Sequence, residues 1–217
     1  MTAIIFDTET TGLDAPELIE AAWMRIDIAG VGSGGECRRY RPSKPISLGA
    51  LATHHIMDED LVDCPPASAF TLPEGVDYLI GYNIDFDWRV IGQPNIKRID
   101  VLAMCRRLWP DADAHSQGAM LYALDRVNAR AALTRAHSAA ADIINCRTIL
   151  LEVMRKAGPF ADFEALWQAS EGMRIPMRMP YGKHRGAAIR DIPTGYRSWL
   201  LNQADVDPYL AIALRTA

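Results

Sequence analysis

Along this chain apolar residues fall first into short strand-like runs and later at helical spacing. Ala3-Ile4-Ile5-Phe6 reads as a buried strand that runs into Asp7-Thr8-Glu9-Thr10-Thr11-Gly12, where the glycine turns the chain. Leu18 to Ile28 reads as a second strand and Glu36 to Arg41 as a third, with the glycine-rich segment Gly30 to Gly35 as the turn between them, an antiparallel meander. Ser47 to His54 is predicted as a short helix capped by Ser47, and Met57 to Leu61 as one more helical turn. Asp77 to Tyr82 is the next strand, followed by a helix from about Asp85 to Ile91 and a short strand near Lys97 to Asp100. Val101 to Leu108, Gly118 to Val127 and Ala139 to Lys156 carry helical apolar spacing, the last being long and alanine-rich. Three strands followed by β-α-β-α predict an α/β protein with a mixed sheet and helices on both faces. Gly158-Pro159 marks the expected boundary between a domain of residues 1–157 and a small unit of residues 158–217.

Composition narrows this picture modestly. With 217 residues, 49% of them hydrophobic, the chain can build one full core and a small appendage. The first strand is preceded by no basic, long apolar leader, and no stretch approaches a membrane span, so a soluble, cytoplasmic protein without a membrane partner is expected. Cys37, Cys64, Cys105 and Cys146 lie far apart, which predicts reduced and mostly buried thiols rather than a zinc knuckle or a disulfide framework. A formal net charge of -4 argues weakly against a protein that coats nucleic acid. The charge is uneven, however: between Met173 and Arg197, Arg174, Arg178, Lys183, Arg185, Arg190 and Arg197 face Asp191 alone.

Three groups of residues carry candidate chemistry. Asp7 and Glu9 sit two apart on a strand, so both carboxylates face one side and could share a cation, although a pair alone is more often two solvated acids. Asn83-Ile84-Asp85-Phe86-Asp87 opens the helix after the Tyr78 to Tyr82 strand; Asn83 is expected to cap that helix, which leaves Asp87, a turn further in, in need of another role. His137-x-x-x-x-Asp142 is the third group. Five helical residues turn through about 500°, so the two share a site only if His137 precedes the helix, Ser138 caps it and Asp142 rides on it among small alanines.

In this order the three groups resemble the motifs of the DEDDh 3'-to-5' exonucleases, over roughly the first 155 residues. The resemblance implies a ribonuclease H-like, mixed five-stranded sheet flanked by helices, with the remainder as a small C-terminal appendage. His55 and Asp60 have the same spacing as the third motif but fall before Asn83, out of order. Tyr122 and Asp125 are too close for the tyrosine motif of the sister class, so the histidine class is favoured. Tyr82 departs from the family's usual histidine before the asparagine and is read as a change in pocket wall. By this resemblance Asp7, Glu9, Asp87 and Asp142 hold two Mg²⁺ or Mn²⁺ ions and His137 is the general base. Zinc is disfavoured by a ligand set of oxygens. Thr10 and Leu13 would meet the 3'-terminal nucleotide, Asn83 would line the site, and His54 would line the same pocket or be a packed structural histidine. The implied reaction is hydrolysis of phosphodiester bonds at DNA 3' ends with release of 5'-nucleoside monophosphates. RNA ends are the alternative, because nothing in the motifs reads a 2'-hydroxyl; a binding or polymerase-associated subunit is the other. No oligomeric state is implied.

Tyr181-Gly182-Lys183-His184-Arg185-Gly186, followed by Tyr196-Arg197-Ser198-Trp199-Leu200, resembles the C-terminal segment of the exodeoxyribonuclease X-like branch of that family. Lys183 and Arg185 are expected to contact phosphates, whereas Trp199, within an apolar helical stretch, is expected to be core packing. Arg106 and Arg107 are expected to lie on a solvated helix face.

Overall fold

The computed structural model describes residues 1–134 and 138–217. β1 (Ala3–Thr10), β2 (Leu18–Ile26), β3 (Gly32–Arg39), β4 (Tyr78–Gly81) and β5 (Lys97–Asp100) form one sheet in the order β3-β2-β1-β4-β5. The β1–β2 and β2–β3 pairs are antiparallel, whereas β1–β4 and β4–β5 are parallel, so the mixed five-stranded sheet expected above is what forms. β1 is central and covered on both faces, which is why Ala3 to Phe6 is a continuous apolar run with no solvent exposure. Ala3 and Ile5 face a core shared with α3 (Val101–Leu108), α4 (Gln117–Leu124) and α6 (Ala139–Ala157). Ile4 and Phe6 face the other way, towards Ile84 of α2 (Ile84–Val90) and the aromatic ring of Phe70.

α1 (Leu48–His54) begins as predicted, the Ser47 hydroxyl accepting from the Ala50 N–H at 3.3 Å. Two elements depart from the pattern reading. β3 starts inside the glycine-rich segment, because Gly32 and Ser33 pair with Ile26 and Arg25 and only Asp27 to Val31 turns. An edge strand with exposed side chains tolerates glycine that a packed strand would not. The helix expected from Gly118 to Val127 breaks at Asp125, whose carboxylate accepts from the Asn128 N–H and caps a new helix, α5 (Arg126–Leu133). The thiols are free, with Cys105 and Cys146 buried, Cys64 half-buried and Cys37 exposed on β3, so burial is less general than expected.

Gly158 ends α6, but the main core continues beyond it. α7 (Phe163–Arg174) inserts Phe163 and Leu166 among the residues of β4, α3 and α6. A separate small core then gathers Met179, Ile189, Ile192 and Leu200 of α8 (Thr194–Leu201) with Leu210 and Leu214 of α9 (Pro208–Thr216). The two cores therefore divide between Arg174 and Met179, and the division at Gly158 coincides with a helix end only. Arg107 is half-buried and tied down, where a free solvated side chain is expected: it donates to the carbonyls of Gly172 at 3.2 Å and Ile175 at 2.9 Å at the C-terminal end of α7.

Where the chain leaves β4, space is the constraint. A Cβ on Gly81 would fall 2.9 Å from the Phe6 carbonyl oxygen and 2.7 Å from the Ile84 side chain. Gly81→Ala is therefore expected to cost about 1–3 kcal/mol through overpacking. A denaturant midpoint unchanged from wild type would contradict this.

Candidate active site

The carboxylates converge where β4 has ended and β1 has not. β4 pairs with β1 only as far as Ile5↔Ile80, so the edge of β1 beyond that point lacks a strand partner on the β4 side. Asp87 replaces it. From the first turns of α2 its Oδ1 accepts from the Thr8 N–H at 2.9 Å and from the Thr8 hydroxyl at 2.6 Å. Thr8 thus anchors Asp87, a role that only the strand geometry reveals. Asp7 and Glu9, alternating with Thr8, lie on the α6 side of the sheet, where Asp142 stands in the first turn of α6. One carboxylate oxygen each from Asp7, Glu9 and Asp142 lies within 4.8 Å of the others, a cluster that can hold a metal ion.

Asp142 is held from several sides. Ser138 caps α6 by accepting from the Ala141 N–H, Asn145 donates to Asp142 Oδ1 at 3.3 Å, and Gln117 donates to the Asp142 carbonyl at 2.9 Å. A further carboxylate, Glu20, faces Glu9 directly across the β1–β2 pair. It is buried; its Oε1 accepts from the Ala139 N–H at 3.2 Å and its Oε2 from Arg39 Nε at 3.0 Å. Glu20 therefore ties the start of α6 to β2 and fixes the helix that bears Asp142. The motif reading missed it, although the cross-strand register of the meander could have found it.

Electrostatics agree with a site built for cations. Burial, and then the charges of Asp87, Asp142, Glu9 and Glu20, hold the Asp7 carboxyl well above the usual range. Burial, followed by Asp142, Glu20 and Asp87, pushes Glu9 up to about 8. Burial raises Asp87 to about 7 against the opposing hydrogen bonds from Thr8. Acids this reluctant to ionise side by side are relieved by a hard divalent cation, which takes oxygen ligands. The donor set fits such an ion.

The turn after β1 is positioned by His54. The Ile56 N–H donates to His54 Nδ1 at 3.0 Å, so Nε2 carries the proton and donates to the Thr10 carbonyl at 3.2 Å. Both ring nitrogens are used by backbone, and burial lowers the imidazole pKa; of the two readings of His54, the geometry matches the packed one. Gly12 has φ +147°, and a Cβ there would fall 2.7 Å from the Ser47 hydroxyl. The turn projects Leu13 into solvent at 86% exposure.

Asn83 corrects its predicted role. Its backbone is left-handed (φ 68°, ψ 42°), its side chain makes no capping bond, and its N–H donates instead to Oδ1 of buried Asp100 at 3.1 Å. The side chain is left exposed beside the helix start. Lys183 and Arg185 are exposed on a loop of the small C-terminal core and are not part of the carboxylate cluster. Trp199 is 54% exposed, contrary to the expectation of packing, because it lies on the outer side of α8 while Leu200 takes the inner one. His137, the expected base, lies outside the described residues.

No family model matches the chain. Exodeoxyribonuclease 10 of Escherichia coli K12 is 28% identical over 224 residues, spanning 97% of this chain and 96% of that protein. A solved structure of exonuclease X in complex with 5' overhanging duplex DNA matches with a TM-score of 0.65 at 27% identity, covering 77% of this chain and 99% of that one. Exonuclease I of E. coli in complex with a dT13 oligonucleotide shares the fold, with a TM-score of 0.57 at 20% identity, 71% of this chain and 41% of that one. The chain is thus similar to exodeoxyribonuclease X along almost its whole length, in the ribonuclease H-like fold of the DEDDh exonucleases that its three motifs resemble.

Proposed function

We propose that the protein is a divalent-metal-dependent 3'-to-5' exodeoxyribonuclease. The observation that carries this reading is the convergence of Asp7, Glu9 and Asp142 within 4.8 Å, with Asp87 bound to the adjoining edge of β1. DNA is supported over RNA because the similar proteins are an exodeoxyribonuclease and an exonuclease in complex with 5' overhanging duplex DNA. Asp7, Glu9, Asp87 and Asp142 would hold two Mg²⁺ or Mn²⁺ ions, which when bound supply an activated water and charge stabilisation at the leaving 3'-oxygen. The chain's own groups do the rest. Thr8 orients Asp87, and Glu20 orients the helix that carries Asp142. His137, two residues before that helix in sequence, is assigned as the base that accepts the proton of the attacking water, a role imidazole suits because a free imidazole side chain titrates near about 6.5. Thr10, Leu13 and Asn83 are assigned to the terminal nucleotide, with His54 holding the Thr10 carbonyl in place. Lys183 and Arg185 are assigned to phosphates further along the strand.

The test is a set of 5'-labelled single-stranded DNA, duplex DNA and RNA substrates incubated with Mg²⁺, with Mn²⁺ and with chelator. A ladder shortening from the 3' end of DNA, with mononucleotide release and full arrest by chelator, is expected. Failure to shorten any 3' end with either metal would overturn the reading, and a strong preference for RNA would replace its substrate.

A further inference from the structure

The small C-terminal unit offers a surface that the carboxylate site does not explain. The loop between Met179 and Ala187 is pinned at its base, the Met179 N–H donating to the Ala187 carbonyl at 2.9 Å and the Gly186 N–H to the Met179 carbonyl at 2.8 Å. It presents Lys183 and Arg185 to solvent on either side of His184. Among the described residues neither cation has a carboxylate within salt-bridge distance. The His184 ring packs edge-on against Tyr196 at 4.6 Å, and Tyr196 packs in turn against Trp199 at 5.2 Å. A Cβ on Gly182 would fall 2.9 Å from the Tyr196 hydroxyl, so the loop sits directly on this ladder of rings.

Trp199 differs from every other tryptophan in the chain. Trp23, Trp88, Trp109 and Trp167 each lie beneath a cation, from Arg38, Arg98, Lys156 and Lys97 respectively, and none is exposed. Trp199 is 54% exposed, and no such cation covers it among the described residues. Tyr181 is less suited to a polyanion, because the charges of Asp207 and Asp205 reach it.

We propose that this ladder is a platform for single-stranded nucleic acid, in which Trp199 stacks on an unpaired base while Lys183 and Arg185 hold the neighbouring phosphates. An exposed ring stacks on any base face, and flanking cations follow the backbone without reading sequence. The inference deepens the exonuclease reading: the unit would retain the strand while its 3' end is consumed. Binding is measured on the full chain with chelator present, by anisotropy of a 5'-fluorescein-labelled oligodeoxythymidylate, so that it does not depend on metal-supported cleavage. Trp199→Leu is expected to weaken binding about tenfold and to remove most of the tryptophan quenching that the oligonucleotide causes, with Trp199→Phe restoring much of the affinity. Lys183→Ala combined with Arg185→Ala is expected to lower the slope of log affinity against log salt by about 1.4. Affinity of Trp199→Leu within twofold of wild type, or an unchanged salt slope in the double variant, overturns the proposal. Absence of 3'-end degradation alongside Trp199-dependent binding would instead sink the exonuclease reading alone.

Discussion

Asp7→Asn is expected to lower 3'-end degradation by at least about a thousandfold and, in chelator at pH 8, to melt at a higher temperature than the wild type. The two halves come from the same environment. Asp7 is half-buried among the clustered acids, and its charge is disfavoured by burial and by four neighbouring carboxylates. Without a cation that charge is a liability, and an amide of equal shape removes it. With cations present the same carboxylate completes the ligand set, and stabilisation worth several kcal/mol at the reacting phosphate goes with it, each 1.36 kcal/mol being tenfold in rate. Steady-state degradation and thermal melts on the same preparations check both halves. Activity within tenfold of wild type would refute the carboxylate assignment, and a lower melting temperature would refute the view that the metal-free cluster is strained. Such opposed effects on stability and activity are a property of functional sites.

The metal-free protein is also expected to lose stability as pH rises from about 4 to about 8, and added Mg²⁺ or Mn²⁺ to flatten that slope. Glu9 moves from 4.5 to about 8 on folding and Asp87 from 3.8 to about 7. Across this window the folded state binds more protons than the unfolded chain, so unfolding becomes easier as pH increases. The contribution is complete below the unfolded values and gone once pH passes the folded ones. His54, whose pKa is lowered by burial, acts in the opposite direction but only below its ordinary value of 6.5. Glu17 and Glu164, lowered by hydrogen bonds, act only below about pH 4.5. The net fall should therefore be clearest between pH 6.5 and 8, a drop in Tm of about 5–10 °C for a chain of this size. A cation ligated by ionised carboxylates displaces the protons and restores stability where the metal-free protein is weakest. Melting temperatures that rise through this range in chelator would show that burial does not hold these acids protonated.

The parts of the molecule legible in its sequence are those set by local periodicity. β5 and α3 have the predicted limits, and Ser47 and Ser138 cap the helices assigned to them, because side-chain spacing and capping chemistry act over a few residues. The i, i+2 logic of Asp7 and Glu9 was readable for the same reason. What was not readable depends on pairing between distant segments. The glycines of β3 become strand only because β2 supplies the ladder. Asn83 forgoes capping because Asp100, seventeen positions away, takes its N–H. Thr8 and Glu20 acquire roles only once register sets them against Asp87, Glu9 and the first residue of α6. The exposure of Trp199 is not legible either, since apolar spacing does not say which side of a short helix a small core will take.

Arg174, at the end of α7, is shared property. Its side chain is 3% exposed, and its guanidinium donates to Asp85 of α2 at 2.7 Å, meets Glu171 at 3.2 Å and lies over the Tyr209 ring of α9 at 5.2 Å, while Arg98 holds the other oxygen of Asp85. Asp85 stands two positions before Asp87, so one cation joins the helix of a metal-site carboxylate to the small C-terminal core. The two units are consequently poor candidates for free exchange. A fragment cut at Gly158 forfeits Phe163 and Leu166 from the main core, and one cut just after Arg174 keeps that core but strips the Tyr209 ring from a buried charge. Recombination that swaps one unit for a foreign counterpart must bring its own cover for that guanidinium, which links the inheritance of the C-terminal unit to that of the α2 helix.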